Sequence, residues 1–170
     1  VRPTYLSICA ADQRYYTGNR SKEVLKKKLP MALIHEAIGE VVFDPKREYA
    51  PGTKVVMIPN TPIEKDEVIK ENYLRSSYFR SSGFDGFMQD YIFLNKNRIV
   101  VLPEEMNLNV AAFTELVTIA VHAITRFEQK SIQRREFFGV WGDGNLGYIT
   151  ALLLKKLYPR CKVFLFGKTA

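Results

Sequence analysis

Cysteine and histidine are scarce here: two cysteines, Cys9 and Cys161, and two histidines, His35 and His122, stand among 170 residues. Two thiols cannot make a disulfide framework, and a reducing compartment suits them better than secretion, so a cytoplasmic location is expected. No window approaches the roughly 18 consecutive apolar residues of a membrane helix, so no membrane insertion is expected. The opening VRPTYLSIC lacks a basic region followed by an apolar core and a cleavage site. An initiating Met is lacking too, and the true beginning is expected upstream. Zinc-finger, RNP and basic-zipper patterns are missing, although the net charge is +7. The basic residues are scattered through KEVLKKK, DPKRE, IQRRE and LLLKKLYP among acidic neighbours. Nucleic acid is therefore not an expected partner, and phosphate-bearing small ligands fit the charge equally well.

What is present is a globular composition, 46% hydrophobic, ample for a packed core. No internal repeat or low-complexity tract interrupts it. In the first two thirds, β-branched and aromatic runs are broken by Gly, Pro and Asn at short intervals. Strands are expected at IGEVVFDP, GTKVVMIPN, GFMQDYIFL and NRIVVLP. Between the second and third lies a polar excursion with a helix expected at IEKDEVIKENYL. After Pro103, apolar residues recur at helical spacing through Val110, Phe113, Val117, Val121 and Ile124, and this helix is expected to join two regions. The remainder passes from strand to helix to strand, the opening βαβ unit of a doubly wound sheet. Phe137 to Trp141 are expected as a buried parallel strand, Leu146, Ile149, Leu153 and Leu157 as the packed face of the helix, and Val163 to Phe166 as the second strand. Two parallel strands cannot cover themselves, so the sequence is expected to be a fragment of a longer protein.

Between those strands, GDGNLG sets Gly142, Gly144 and Gly147 at GxGxxG spacing, directly after a strand and opening a helix with Asn145 and Leu146. Gly142 permits the tight turn, Gly144 lets a pyrophosphate approach the backbone, and Gly147 lets helix and strand pack closely. The helix N-terminus offers free N–H groups and partial positive charge to phosphates. The other reading is an ordinary glycine-rich turn without a ligand. An NAD site commonly places an acid about 20 residues beyond the glycines; this sequence reads FGKTA there. Gly167 leaves room and Lys168 can meet a 2′-phosphate, which favours NADPH, with a solvated surface lysine as the alternative.

The run LPMALIHEAIGEVVF holds His35 and Glu36 among residues that are otherwise apolar apart from Glu40. A neutral imidazole suits Zn²⁺, and a catalytic zinc takes three protein ligands while leaving one position open. Cys9 and Glu115 are candidate partners, but no compact motif joins them. Taken singly, Cys9 reads as a core thiol and Glu115 as a helix-surface carboxylate.

In order along the chain, ICxxD, HExxG, EL, VHA and GxGxxG resemble the zinc-dependent medium-chain alcohol and polyol dehydrogenases, over nearly the whole sequence. The resemblance implies an α/β protein. Residues 1–121 would be most of a GroES-like, β-rich catalytic domain without its first strands. Residues 122–170 would be the truncated first βαβ unit of a Rossmann coenzyme domain. It implies one catalytic zinc on Cys9, His35 and Glu115, with Glu36 as a ligand or near-ligand and Asp12 as the carboxylate that holds the site's geometry. His122 falls in the VHA segment and is read as structural. Members with a structural zinc carry four cysteines in the excursion, and none stands between Asn60 and Gly86, so no structural zinc is expected. Ala11 replaces the Ser or Thr that starts a proton relay in many members, so the proton is expected from another group or from water, with Tyr15 or Tyr16 as candidates.

A narrower set, ADQRYY, LPMALIHE, KVVMIPN, SSGFDGFM and GDGNL, is similar to a bacterial branch of that family. That branch reduces the C2 ketone of D-ribulose 5-phosphate to D-ribitol 5-phosphate with NADPH and works with a cytidylyltransferase toward CDP-ribitol for teichoic acids or capsules. The resemblance implies the same sugar-phosphate substrate, Zn²⁺ and NADPH as cofactors, that partner, and a homodimer. Arg14, and with it Tyr15, is the candidate for the substrate phosphate. Two other readings stand beside this one: a polyol or alcohol dehydrogenase of unphosphorylated substrates, and a non-catalytic dinucleotide-binding protein.

Overall fold

Alternation of side chains across a pleated strand builds the first sheet. The computed structural model describes residues 1–68, 70, 73–131 and 135–168. In chain order its elements are β1 (Arg2–Ser7), α1 (Ala10–Tyr16), α2 (Lys22–Lys28), β2 (Glu36–Glu40), β3 (Lys54–Met57), β4 (Asn60–Thr61), β5 (Tyr78–Phe79), β6 (Ile99–Val101), α3 (Leu108–Ala111), α4 (Thr114–Lys130), β7 (Phe137–Trp141), α5 (Asn145–Leu157) and β8 (Lys162–Phe166). They form two compact units, Val1–Thr114 and Glu115–Ala170, whose junction lies at the start of α4, the helix expected to join two regions.

In the first unit, β1, β2, β3 and β6 pair antiparallel in that order. Ala37 pairs with Met57 and Ile38 with Val56. Because neighbours along a strand face opposite ways, the two pairs feed two separate clusters. Ala37 and Met57 pack with Phe87 and Ile92; Ile38 and Val56 pack with Leu102 and Ala111. Phe87 is fully buried, worth about 2–3 kcal/mol by transfer of its side chain from water.

Three expectations need correction here. GFMQDYIFL forms no strand. Its backbone instead clamps the segment before His35: the amides of Gly86, Phe87 and Met88 donate to the carbonyls of Ala32, Ile34 and Leu33 at 2.7, 2.6 and 3.0 Å. A Cβ on Gly86 would collide with the Leu33 and Ile34 carbonyl oxygens, so this close approach requires glycine. The helix expected at IEKDEVIKENYL is not formed by its described residues, and residues 69, 71 and 72 of it lie outside them. β1, with a Pro near its start and no clean alternation, was not expected as a strand, yet it supplies an edge of the main sheet.

The second unit pairs β7 and β8 in parallel, with α5 between them in sequence. Ile124, Phe138, Leu154 and Cys161 form its core, with Val140, Leu153, Tyr158 and Val163 partly buried around them. The expected burial of the first strand is corrected: Phe137 is 62% and Trp141 78% exposed, because β7 packs one face only. On the open face Trp141 stacks on Phe166, their rings 4.9 Å apart and 18° from parallel. On α5 the buried residue is Leu154, while Leu146 and Leu157 are exposed. On α4, Ala120 and Ile124 are buried, whereas Phe113, just before it, and Val121 are exposed. Among the described residues no helix is long and apolar enough to cross a membrane.

Candidate functional site

The pairing of β1 with β2 sets Ser7 opposite Glu36. Cys9 lies just beyond the end of one strand and His35 just before the start of the other, so the register itself brings them together. Their Sγ and Nε2 atoms are 3.6 Å apart. Ile34 takes a left-handed φ of 73° at the entry to β2. A β-branched residue adopts that conformation only when its surroundings hold it, and here the Ile34 amide donates to Asp12 Oδ1 at 3.0 Å.

Cys9 is also the N-cap of α1. Its Sγ accepts from the Ala11 amide at 3.3 Å, and its own amide donates to Asp12 Oδ2 at 3.2 Å, a capping box with sulfur in place of a hydroxyl. Its thiol donates to Asp12 Oδ2 at 3.1 Å. Asp12, 2% exposed, accepts further from Ser81 Oγ at 2.8 Å and lies 3.7 Å from His35 Nδ1. Burial pushes its carboxyl up, but the nearby His35 ring and the hydrogen bonds from Cys9 and Ser81 outweigh that and hold it well below the usual carboxylate range. Burial pushes the Cys9 thiol up to about 11. Without a cation the thiol stays protonated at neutral pH, and a cation that binds there must displace the proton.

Glu36, 1% exposed, accepts from Ser7 Oγ at 2.7 Å and lies 3.9 Å from His35 Nε2. The Phe79 ring leans on His35, centroids 5.4 Å apart. Ligand atoms of Cys9, Asp12 and His35 all lie within 4.8 Å of one another. The donor set fits zinc: a sulfur and an imidazole nitrogen face each other, while a carboxylate on the Nδ1 side orients the ring. Glu115 stands in the first turn of α4, where the second unit begins. Arg14 is exposed and gives its Nε to the Ala10 carbonyl, one turn back. Tyr15 is 6% exposed and belongs to the core, whereas Tyr16 is 85% exposed. The sequence reading missed Ser7, Ser81 and Phe79. SSGFDGFM drew notice only as a string, and no spacing rule ties Ser81 to Asp12.

In the second unit, Gly142 has a φ of 121°, open to glycine but not to other residues. A Cβ on Gly147 would collide with the Gly142 carbonyl oxygen, so helix and turn touch there. Gly144 is the N-cap of α5 without a side-chain cap, and the space its Cβ would occupy is open. Asn145 and Leu146 begin the helix. The first amides of α5 are thus presented as a phosphate needs them. Lys168 is exposed beyond β8. The Asp143 carboxylate lies against Gly167, where any side chain would displace it; the sequence reading assigned Asp143 no part.

Residues 1–104 match the alcohol dehydrogenase GroES-like domain. The chain is 69% identical over 169 residues to the ribulose-5-phosphate reductase of Bacillus spizizenii, covering 99% of this chain and 50% of that protein. It is 43% identical over 169 residues to the protein of that name from Streptococcus pneumoniae, covering 99% and 49%. The crystal structure of S. aureus TarJ in complex with NADPH superposes with a TM-score of 0.79 at 56% identity, over 99% of this chain and 46% of that one. This chain spans about half the length of the relatives it matches. With more than half of its residues matched by the domain, and with Cys9, Asp12 and His35 inside that match, the chain belongs to the alcohol dehydrogenase GroES-like domain family.

Proposed function

We propose that the complete protein in which this chain occurs is a zinc-dependent, NADPH-linked reductase that converts D-ribulose 5-phosphate to D-ribitol 5-phosphate. The observation that carries the reading is the cluster of buried Asp12 with partly buried Cys9 and His35, in a chain so similar to the ribulose-5-phosphate reductase of Bacillus spizizenii. Cys9 and His35 would hold the zinc, with Glu115 as third ligand and Glu36 as a ligand or near-ligand. A bound zinc supplies Lewis-acid polarisation of a carbonyl oxygen, and NADPH supplies the hydride.

The chain's own residues do the rest. Asp12 fixes the His35 ring and the Cys9 turn, so that Nε2 and Sγ stay aimed at one point. Ser7 fixes the Glu36 carboxylate. Gly142, Gly144 and Gly147 leave the α5 amides, including those of Asn145 and Leu146, free for the cofactor's pyrophosphate. Gly167 and Lys168 receive the adenosine end and its 2′-phosphate. Tyr16, exposed on α1, is better able than Tyr15 to give a proton to solvent or product. Arg14 remains a candidate for the sugar phosphate. The enzyme would act in the cytoplasm as a homodimer beside a cytidylyltransferase that consumes its product.

The test is NADPH oxidation by the complete protein with D-ribulose 5-phosphate, against unphosphorylated ribulose and NADH. Turnover confined to the phosphorylated sugar with NADPH is expected. Preference for a simple polyol or alcohol would replace the substrate assignment.

A further inference from the structure

We infer that Arg20 and Lys28 hold the substrate's phosphate, an assignment that rests on the sugar-phosphate reading above. α1 carries Asp12 and Tyr15 on one buried face, a turn apart. The Tyr15 ring takes the Arg20 guanidinium at 4.8 Å from its centroid and the Lys28 ammonium at 5.9 Å. Two cations are therefore gathered at one aromatic ring, which attracts each of them but accepts none of their N–H groups in strong hydrogen bonds.

Some basic side chains of this chain meet acids, as Lys54 meets Glu40 and Lys96 meets Glu48. Among the described residues neither Arg20 nor Lys28 forms an ion pair, and Arg20 Nε is buried with no hydrogen-bond partner. Lys28 Nζ donates to Ser82 Oγ at 2.7 Å. Both cations lack a counter-charge among the described residues, and a dianion that accepts from both supplies it.

Two separate tethers connect this pair to the metal-ligand cluster. One is α1 itself, from Cys9 at its N-cap to Tyr15. The other is the Ser81–Ser82 pair: Ser81 Oγ donates to Asp12 and Ser82 Oγ accepts from Lys28. Along α1 the rise from Cys9 to Tyr15 is about 9 Å. A pentulose phosphate sets its phosphorus about 6 Å from C2, a span of the same order. The chemistry that fits is a phosphomonoester a few carbons from a ketone.

The experiment uses the complete protein with Arg20→Gln and Lys28→Met. Each is expected to raise KM for D-ribulose 5-phosphate about 10- to 100-fold, with kcat, KM for NADPH and Tm little moved, and Arg20→Lys is expected to restore part of the loss. Inorganic phosphate should compete with the sugar phosphate in the wild type and not in Arg20→Gln. An unchanged KM in both variants, or a rise found in Arg14→Met instead, would overturn the assignment. If the wild type does not reduce D-ribulose 5-phosphate, the function above fails on its own. The anion site is then judged by ³¹P line broadening of inorganic phosphate: broadening by the wild type and not by Arg20→Gln sustains it, and none by the wild type refutes it.

Discussion

In the first unit, Cys9 and His35 are 26 residues apart in sequence, and each is held by partners from elsewhere: Asp12 from α1, Ser81 from the loop after β5, Glu36 from β2. In the second unit, the whole candidate cofactor turn is six consecutive residues, Gly142 to Gly147, shaped by its own backbone. The first site is half-buried and built from polar and ionisable side chains that hold one another. The second is open and built from the absence of side chains. A site of the first kind depends on long-range register and tolerates few changes of charge. A site of the second kind depends on local sterics and tolerates few changes of volume.

Substitutions that cross these two modes separate them. Cys9→Ser should lower kcat of the complete protein by more than about 10²-fold, together with its zinc content, while NADPH binding is retained. Gly147→Val should do the reverse. Its side chain meets the Gly142 carbonyl oxygen, so Kd for NADPH, followed by fluorescence titration, should rise by more than about tenfold with zinc content unchanged.

Asp12→Asn keeps the volume and removes the charge. Zinc affinity, measured by competition with a chelator, should fall about 10- to 100-fold. The Asp12 carboxyl is held below its ordinary value, so its contribution to stability is present above that value and is lost as pH falls through and below about 4. Thermal melts of the wild type should weaken across that window, and those of Asp12→Asn should weaken less. The smallest effect is expected at Lys168→Ala, about a fivefold loss of preference for NADPH over NADH, read as the ratio of the two kcat/KM values.

The difference in mode also explains what was legible in the sequence. The βαβ unit could be read because the period changes within a few residues and the glycines carry their own steric meaning. The strands around Ile38, Val56 and Val100 could be read from β-branched runs. GFMQDYIFL misled because its hydrophobic pattern suits a strand, whereas Gly86 and Phe87 use their amides to hold the His35 segment. The burial of β7 misled because aromatic content does not say which face is covered. Cys9, His35 and Glu115 were proposed as a set from family resemblance, since spacing alone gave no reason to join them. Ser7 and Ser81 became visible only through register and a distant loop, which no local pattern encodes.

The central claim is that Cys9 and His35 form a metal centre that Asp12 orients. The most direct measurement is the absorption spectrum of the cobalt-substituted complete protein. A near-ultraviolet thiolate-to-cobalt charge-transfer band in the wild type, retained in Asp12→Asn under saturating cobalt and lost in Cys9→Ser, is the predicted result. No such band, or a band that survives Cys9→Ser, would contradict it.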